Sequence, residues 1–208
     1  MGQRKIGKTS LLLELRRSHD SKVPMPYVDC WEARADPINF LCGLIRSLIS
    51  AAVRQRGAEP EVGSLDPSPG SGFSPLVIQA LARLGSPAID EAVRLHESIS
   101  SGQLDHDTLR MAFELPQHIA ADLRIHVVVV LDEFQELQRL DRVRRLRRDD
   151  GDIFDLLRTI WQRQERVSYL LAGSRVTMMR RILTEENIDP SFRTSRCSTW
   201  ARSSARTA

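Results

Sequence analysis

Between residues 125 and 131 the chain reads Ile-His-Val-Val-Val-Val-Leu, a mostly β-branched run of strand length that closes on Asp132 and Glu133. A strand without apolar and polar alternation buries both faces, and sheets covered on both faces are the parallel sheets of α/β domains. Residues 23–30 predict a second strand that contains Tyr27 and Val28 and ends at Asp29, with Pro24 and Pro26 weakening its first half. Residues 168–173 predict a third. Helical spacing predicts a short helix over 11–17. Asp36 and Pro37 supply an N-cap and a first-turn proline for a helix whose buried side runs Ile38, Leu41, Leu44, Ile45, Leu48, Ile49 and Ala52. Further helices are expected around 76–84, 87–100, 107–123, 153–165 and 176–186. Strands that alternate with helices, without an Asn-Gly hairpin, give an α/β parallel sheet flanked by helices, with a helical insertion at about 76–123 between the strands at 23–30 and 125–131.

A length of 208 residues, 41% of them hydrophobic and 27% charged, suits one domain with a real core and excludes wholesale disorder. The formal charge of +3 has an uneven origin. Residues 191–208 carry Arg193, Arg196, Arg202 and Arg206 and no acid, which leaves 26 cations against 27 anions in the first 190 residues. The body is near neutral, so net charge gives little reason to expect a nucleic-acid-binding face. Residues 57–75 are rich in Gly, Pro, Ser and acid and are expected to form a mobile loop. The basic run 139–148 is answered by Asp149, Asp150 and Asp152, as in a solvated loop.

Cys30, Cys42 and Cys197 form no CxxC pair, so they are expected as reduced thiols of a cytoplasmic protein. The histidines, His19, His96, His106, His118 and His126, lack ligand spacing and are expected at the surface or at helix ends. No membrane span is expected, because the apolar stretch 40–53 is interrupted by Arg46.

The chemistry begins at the first residues. Gly2-Gln-Arg-Lys-Ile-Gly7-Lys8-Thr9 satisfies the pattern G-x-x-x-x-G-K-[ST] in full, a match that average residue usage gives on the order of one per cent of the time in a chain this long. Gly2 and Gly7 permit the backbone turns that wrap a phosphate. Amides at the helix N-terminus, through Ser10, donate to its oxygens. Lys8 brings a compact charge to the β and γ phosphates, and Thr9 offers a hydroxyl to Mg2+. The run ending in Asp132 and Glu133 supplies the complement: an acid for the water shell of Mg2+ and a neighbouring Glu for the attacking water. Alone, an apolar strand that ends in acids is as often structural. A hydroxyl at Ser174, after the third strand, stands where it would contact the γ-phosphate or that water; a strand-ending Gly-Ser turn explains it equally well.

The stretches GQRKIGKTSLL, VVVVLDEFQEL and YLLAGSRVTMM, in that order, resemble the archaeal-type P-loop ATPases of the AAA+/STAND group. The resemblance covers residues 2–186. It implies a P-loop NTPase fold, ATP with Mg2+ as ligands, hydrolysis through Glu133, a sensor at Ser174 and ATP used as a conformational switch. A protein partner or further C-terminal domains are implied to receive that switch.

Two departures from the family pattern set further expectations. The family's sheet is ordered 5-1-4-3-2, and its first strand precedes the P-loop, where this sequence has only Met1. After residue 190 the family's fifth strand and helical lid give way to a segment in which fifteen of 18 residues are Ser, Thr, Arg or Ala. The chain is therefore expected to be an incomplete ATPase domain over 1–190, truncated at both ends, with strands ordered 4-3-2 and a disordered basic tail over 191–208. Two other readings stay open. One is a non-catalytic fragment or regulatory module of the same fold, and the other, resting on the basic run alone, is a DNA-associated ATPase.

Overall fold

The valine run forms the middle of a three-stranded sheet. In the computed structural model, which describes residues 7–20, 22–58, 72–142 and 151–173, β2 (Val127–Asp132) lies between β1 (Tyr27–Asp29) and β3 (Val167–Leu171), and both pairings are parallel. Val130 stands opposite both Tyr27 and Leu170, and Asp132 opposite Asp29. The chain is thus α/β, and the strand at 125–131 is central, flanked on either side by the strands at 23–30 and 168–173.

Boundaries moved for reasons visible in the hydrogen bonds. The first strand contracts from 23–30 to Tyr27–Asp29, because Pro24 and Pro26 have no N–H to give to a ladder. Their carbonyls still accept from Val128 N at 3.0 Å and Val130 N at 2.9 Å, so the chain runs alongside β2 well before β1 begins.

Seven α-helices and one 3-10 helix are described. They are α1 (Lys8–His19), α2 (Glu32–Ala35), α3 (Pro37–Gln55), α4 (Pro75–Ala82), α5 (Pro87–Ser100), α6 (His106–Asp122), the 3-10 helix Phe134–Arg142 and α7 (Ile153–Gln162). Three starts share one device. Asp36, Ser74 and Ser86 each cap the first turn through a side-chain oxygen, and a proline follows at once with its fixed φ. Asp105 with Thr108 and Asp152 with Asp155 form reciprocal capping boxes at α6 and α7. Helices α4 to α6 are the expected insertion between β1 and β2.

The two faces of the sheet are covered unequally. Val127, Val129, Leu131, Val167, Tyr169 and Leu171 point into the large core built with α3, α5, α6 and α7, where Phe40, Phe113 and Phe134 are fully buried. Burying side chains of this size is worth about 1.5–3 kcal/mol each. The opposite face carries Tyr27, Val128, Val130, Leu170 and Ala172, which pack with Met25 and with Leu12 of α1. Leu11 of α1 remains 65% exposed. By length and composition α3 is the one helix among the described residues able to cross a membrane; in this fold it lies against β1, α5 and α6 with its apolar side in the core.

Three expectations are corrected. His96 is fully buried rather than at the surface, because α5 turns it inward against the Phe73 ring at 4.3 Å and the Arg46 guanidinium at 3.3 Å. The ends of the expected loop 57–75 belong to the fold: Ala58 and Phe73 are core residues, and Ser74 caps α4. Part of the basic run 139–148 is helical. Leu140 is buried and Arg139 Nε lies 3.8 Å from Glu136 Oε2, while residues 143–148 lie outside the described residues. Cys30 and Cys42 are free and buried. The expected helix at 176–186 and the tail 191–208 also lie outside the described residues.

Candidate active site at the carboxyl ends of the strands

In a parallel sheet with right-handed crossovers, the loops after the strands gather at the carboxyl edge, where α/β proteins bind ligands. Here that edge receives the N-terminus of α1. Gly7 caps the helix with φ 64°, a left-handed conformation open to glycine at no cost, and offers no capping side chain. The first helical bond runs from Leu11 N to Gly7 O at 2.9 Å, so the amides of Lys8, Thr9 and Ser10 lie in the turn that has no intrahelical acceptor. No acid occupies that turn. The partial positive charge of the helix end is left for an outside anion.

The side chains of the same turn reach the strands. Thr9 Oγ1 donates to Asp132 Oδ2 at 2.6 Å, and Lys8 Nζ donates to the carbonyl of Gly173, just past β3, at 2.7 Å. Asp132 is buried and takes two more donors, Tyr27 OH on Oδ2 at 3.2 Å and Glu133 N on Oδ1 at 2.9 Å. Glu133 leaves β2 through a left-handed turn with φ 48°, and its carboxylate accepts from Gln135 Nε2 of the 3-10 helix. Phe134 N donates to Ala172 O at 2.9 Å, which holds this turn against the exit of β3.

Carboxylates dominate the electrostatics. Asp29, level with Asp132 on the next strand, has its pKa raised by burial and by the Asp132 and Glu133 charges, against a lowering bond from Trp31 N. Burial also raises the Tyr27 phenol and holds the Cys30 thiol well above its ordinary value, and in both cases Asp132 and Asp29 add to the effect. Burial and Asp29 raise Glu32, while Arg46 opposes them. A cation placed among such carboxylates would favour their charged forms.

The donor set can be compared with what each cation requires. No group of three or more His, Cys, Asp or Glu able to hold a metal occurs among the described residues, which therefore offer neither a closed zinc site nor a calcium cage. One hydroxyl and one carboxylate, both hard oxygens, fit Mg2+, which keeps several waters and binds through one or two protein oxygens together with phosphates.

Of the residues singled out from sequence, Gly7, Lys8, Thr9, Ser10, Asp132 and Glu133 meet at this edge; Gly2 and Ser174 lie outside the described residues. Tyr27, Asp29 and Gln135 belong to the same constellation and were not singled out. A signal existed for the first two, since residues 27 and 29 share one face of a strand that ends in an acid. No protein-family model, no curated protein and no solved structure matches the chain.

Proposed function

We propose that this domain is a P-loop NTPase of the AAA+/STAND kind that binds ATP with Mg2+ and hydrolyses it. One observation carries the reading. The contact between Thr9 and Asp132 joins the hydroxyl of a phosphate-loop pattern to the acid of a Walker B pattern, residues 123 positions apart. Either pattern arises alone by chance; their meeting at the carboxyl edge of a parallel sheet is much harder to obtain by accident.

The roles follow from the chemistry of each group. Gly2, Gly7 and the amides through Ser10 receive the phosphates, and Lys8 exchanges the Gly173 carbonyl for phosphate oxygens, a stronger charge-assisted partner. Thr9 and Asp132 hold Mg2+, which when bound neutralises charge on the β and γ oxygens. Glu133 orients the attacking water and accepts its proton, and Ser174 contacts the γ-phosphate. Exchange of the Lys8 partner couples nucleotide binding to the segment after β3, a route by which ATP acts as a switch on a partner or a further domain.

A second reading has its own support. Lys8 and Glu133 are both engaged internally, by Gly173 and Gln135, as expected of a module that binds nucleotide without turning it over. Fluorescent-ATP titration and malachite-green phosphate release, on the chain and on Lys8→Ala and Glu133→Gln, separate the two. The hydrolase reading expects Mg2+-dependent release, binding without release in E133Q and loss of binding in K8A. Binding without release in all but K8A favours the module, and release that survives in either variant overturns these roles.

A further inference from the structure

Asp132 is approached from two directions that have nothing to do with one another in the sequence. Thr9 comes from the helix laid over the sheet, and Tyr27 comes from the neighbouring strand two residues before Asp29. Strand periodicity puts Tyr27, Asp29, Val130 and Asp132 on the face that α1 covers, and Tyr27 packs there beside Leu12, Met25 and Val130. Its hydroxyl crosses the strand gap to the oxygen that already accepts from Thr9.

The count of acceptor positions makes this consequential. An ionised carboxylate has about four lone-pair directions, two on each oxygen. Thr9 and Tyr27 take both on Oδ2, and Glu133 N takes one on Oδ1. A single direction is left for anything outside the protein. A carboxylate held in this way engages a cation, or a water on a cation, through one oxygen only. Calcium commonly takes a carboxylate through both oxygens at longer and more variable distances, whereas magnesium demands a small octahedral shell and keeps its waters. Without Tyr27, Oδ2 regains a free lone pair and the carboxylate regains freedom to turn.

Resting on the ATP and Mg2+ reading above, we propose that Tyr27 is a positioning residue that holds Asp132 to one outward acceptor and thereby favours Mg2+ over Ca2+ beside the nucleotide. It touches neither nucleotide nor cation. Its effect passes through Asp132, so the consequences of its removal depend on that carboxylate.

Tyr27→Phe removes the hydroxyl and keeps the ring that packs on Leu12 and Met25. The experiment measures fluorescent-ATP affinity in EDTA and across Mg2+ and Ca2+ titrations, for the parent chain, Tyr27→Phe, Asp132→Asn and the double variant, with thermal melts to verify folding. In Y27F the half-saturating Mg2+ concentration is expected to rise roughly 3- to 10-fold, the size of one ordinary net hydrogen bond. Metal-free affinity stays within about twofold, and the Mg2+ over Ca2+ preference shrinks. In D132N, adding Y27F is expected to change nothing further, as required of two residues acting as one unit. A folded Y27F with the parent's metal dependence overturns the proposal while leaving the ATP reading intact, and so does an undiminished Y27F effect in the D132N background. A parent chain that binds no nucleotide overturns the ATP reading itself, and this proposal with it.

Discussion

Thr9 Oγ1 and Asp132 Oδ2, 2.6 Å apart, tie the first turn of α1 to the last residue of β2. Because α1 covers a sheet face with only a small apolar cluster beneath it, this polar tie supports the helix more than a surface contact would. Thr9→Val keeps the shape and removes the donor. The expected cost is about 1 kcal/mol, below the roughly 1.5–3 kcal/mol usual for a bond to a charged group because Thr9 is exposed and water replaces it. Thr9→Ser retains the bond and is expected to lose less than half as much. Urea denaturation of the two variants checks this; a larger loss in Thr9→Ser than in Thr9→Val would show that the methyl group, and not the hydroxyl, anchors α1.

Behind the site, Phe134 fills the space between the acidic turn and α7. It is fully buried, with ring centres 5.3 Å from Phe154 and 5.8 Å from Trp161, and Trp161 in turn stacks on Tyr169 at 4.3 Å. Truncation removes the middle of this aromatic chain, so Phe134→Ala is expected to cost about 3–5 kcal/mol. Phe134→Leu fills most of the cavity and is expected to cost less than half of that. Denaturation followed by circular dichroism is the measurement, and a loss below about 1 kcal/mol for F134A would mean the aromatic chain closes over the gap.

What was legible in the sequence was what local pattern determines. The valine run shows its burial on both faces because neither face needs polar residues. Asp36-Pro37 marks the start of α3 because a cap and a proline act within one turn. Helices α4 to α6 could be read from apolar spacing to within a residue or two. Contacts across the fold leave no such trace. Tyr27 lies 105 positions from the carboxylate it supports, and only the strand register brings them together. His96 is buried because Arg46, 50 positions away on another helix, offers it a donor. Gln135 carries no local mark of its burial, which comes from the 3-10 helix that turns it inward.

The turn at Glu133 makes a separable claim about backbone and side chain. With φ 48° it holds a residue bearing a Cβ where such residues pay about 1–2 kcal/mol. Strain of this kind is kept where it aims a functional group. Glu133→Gly relieves the strain, whereas Glu133→Ala keeps it; both lose the bond to Gln135. Glu133→Gly is therefore expected to be about 1 kcal/mol more stable than Glu133→Ala, with phosphate release absent from both. Equal stabilities in chemical denaturation would show that the turn relaxes out of the left-handed region once the carboxylate is gone.

His96 makes the stability of the helical layer depend on pH in a direction that can be worked out. The ring is enclosed by α5, the Phe73 ring and Arg46, whose guanidinium donates to Nε2, and Nδ1 has no hydrogen-bond partner. Burial first, and then the Arg46 charge, lower its pKa from 6.5 to about 4. The folded state keeps this imidazole neutral where the unfolded chain protonates it. Stability is therefore full above pH 6.5, falls as pH drops toward about 4, and loses no more from this group below that, where the folded state also takes the proton. His96→Phe removes the titration at the cost of one hydrogen bond from Arg46, so the variant is expected to be less stable at pH 7 yet to show a shallower decline between pH 6.5 and 4. Urea midpoints measured for both chains across that window cancel the carboxylates they share. Parallel curves would mean that His96 reaches solvent often enough to titrate normally, and that the contact between α3 and α5 around it opens in the native state.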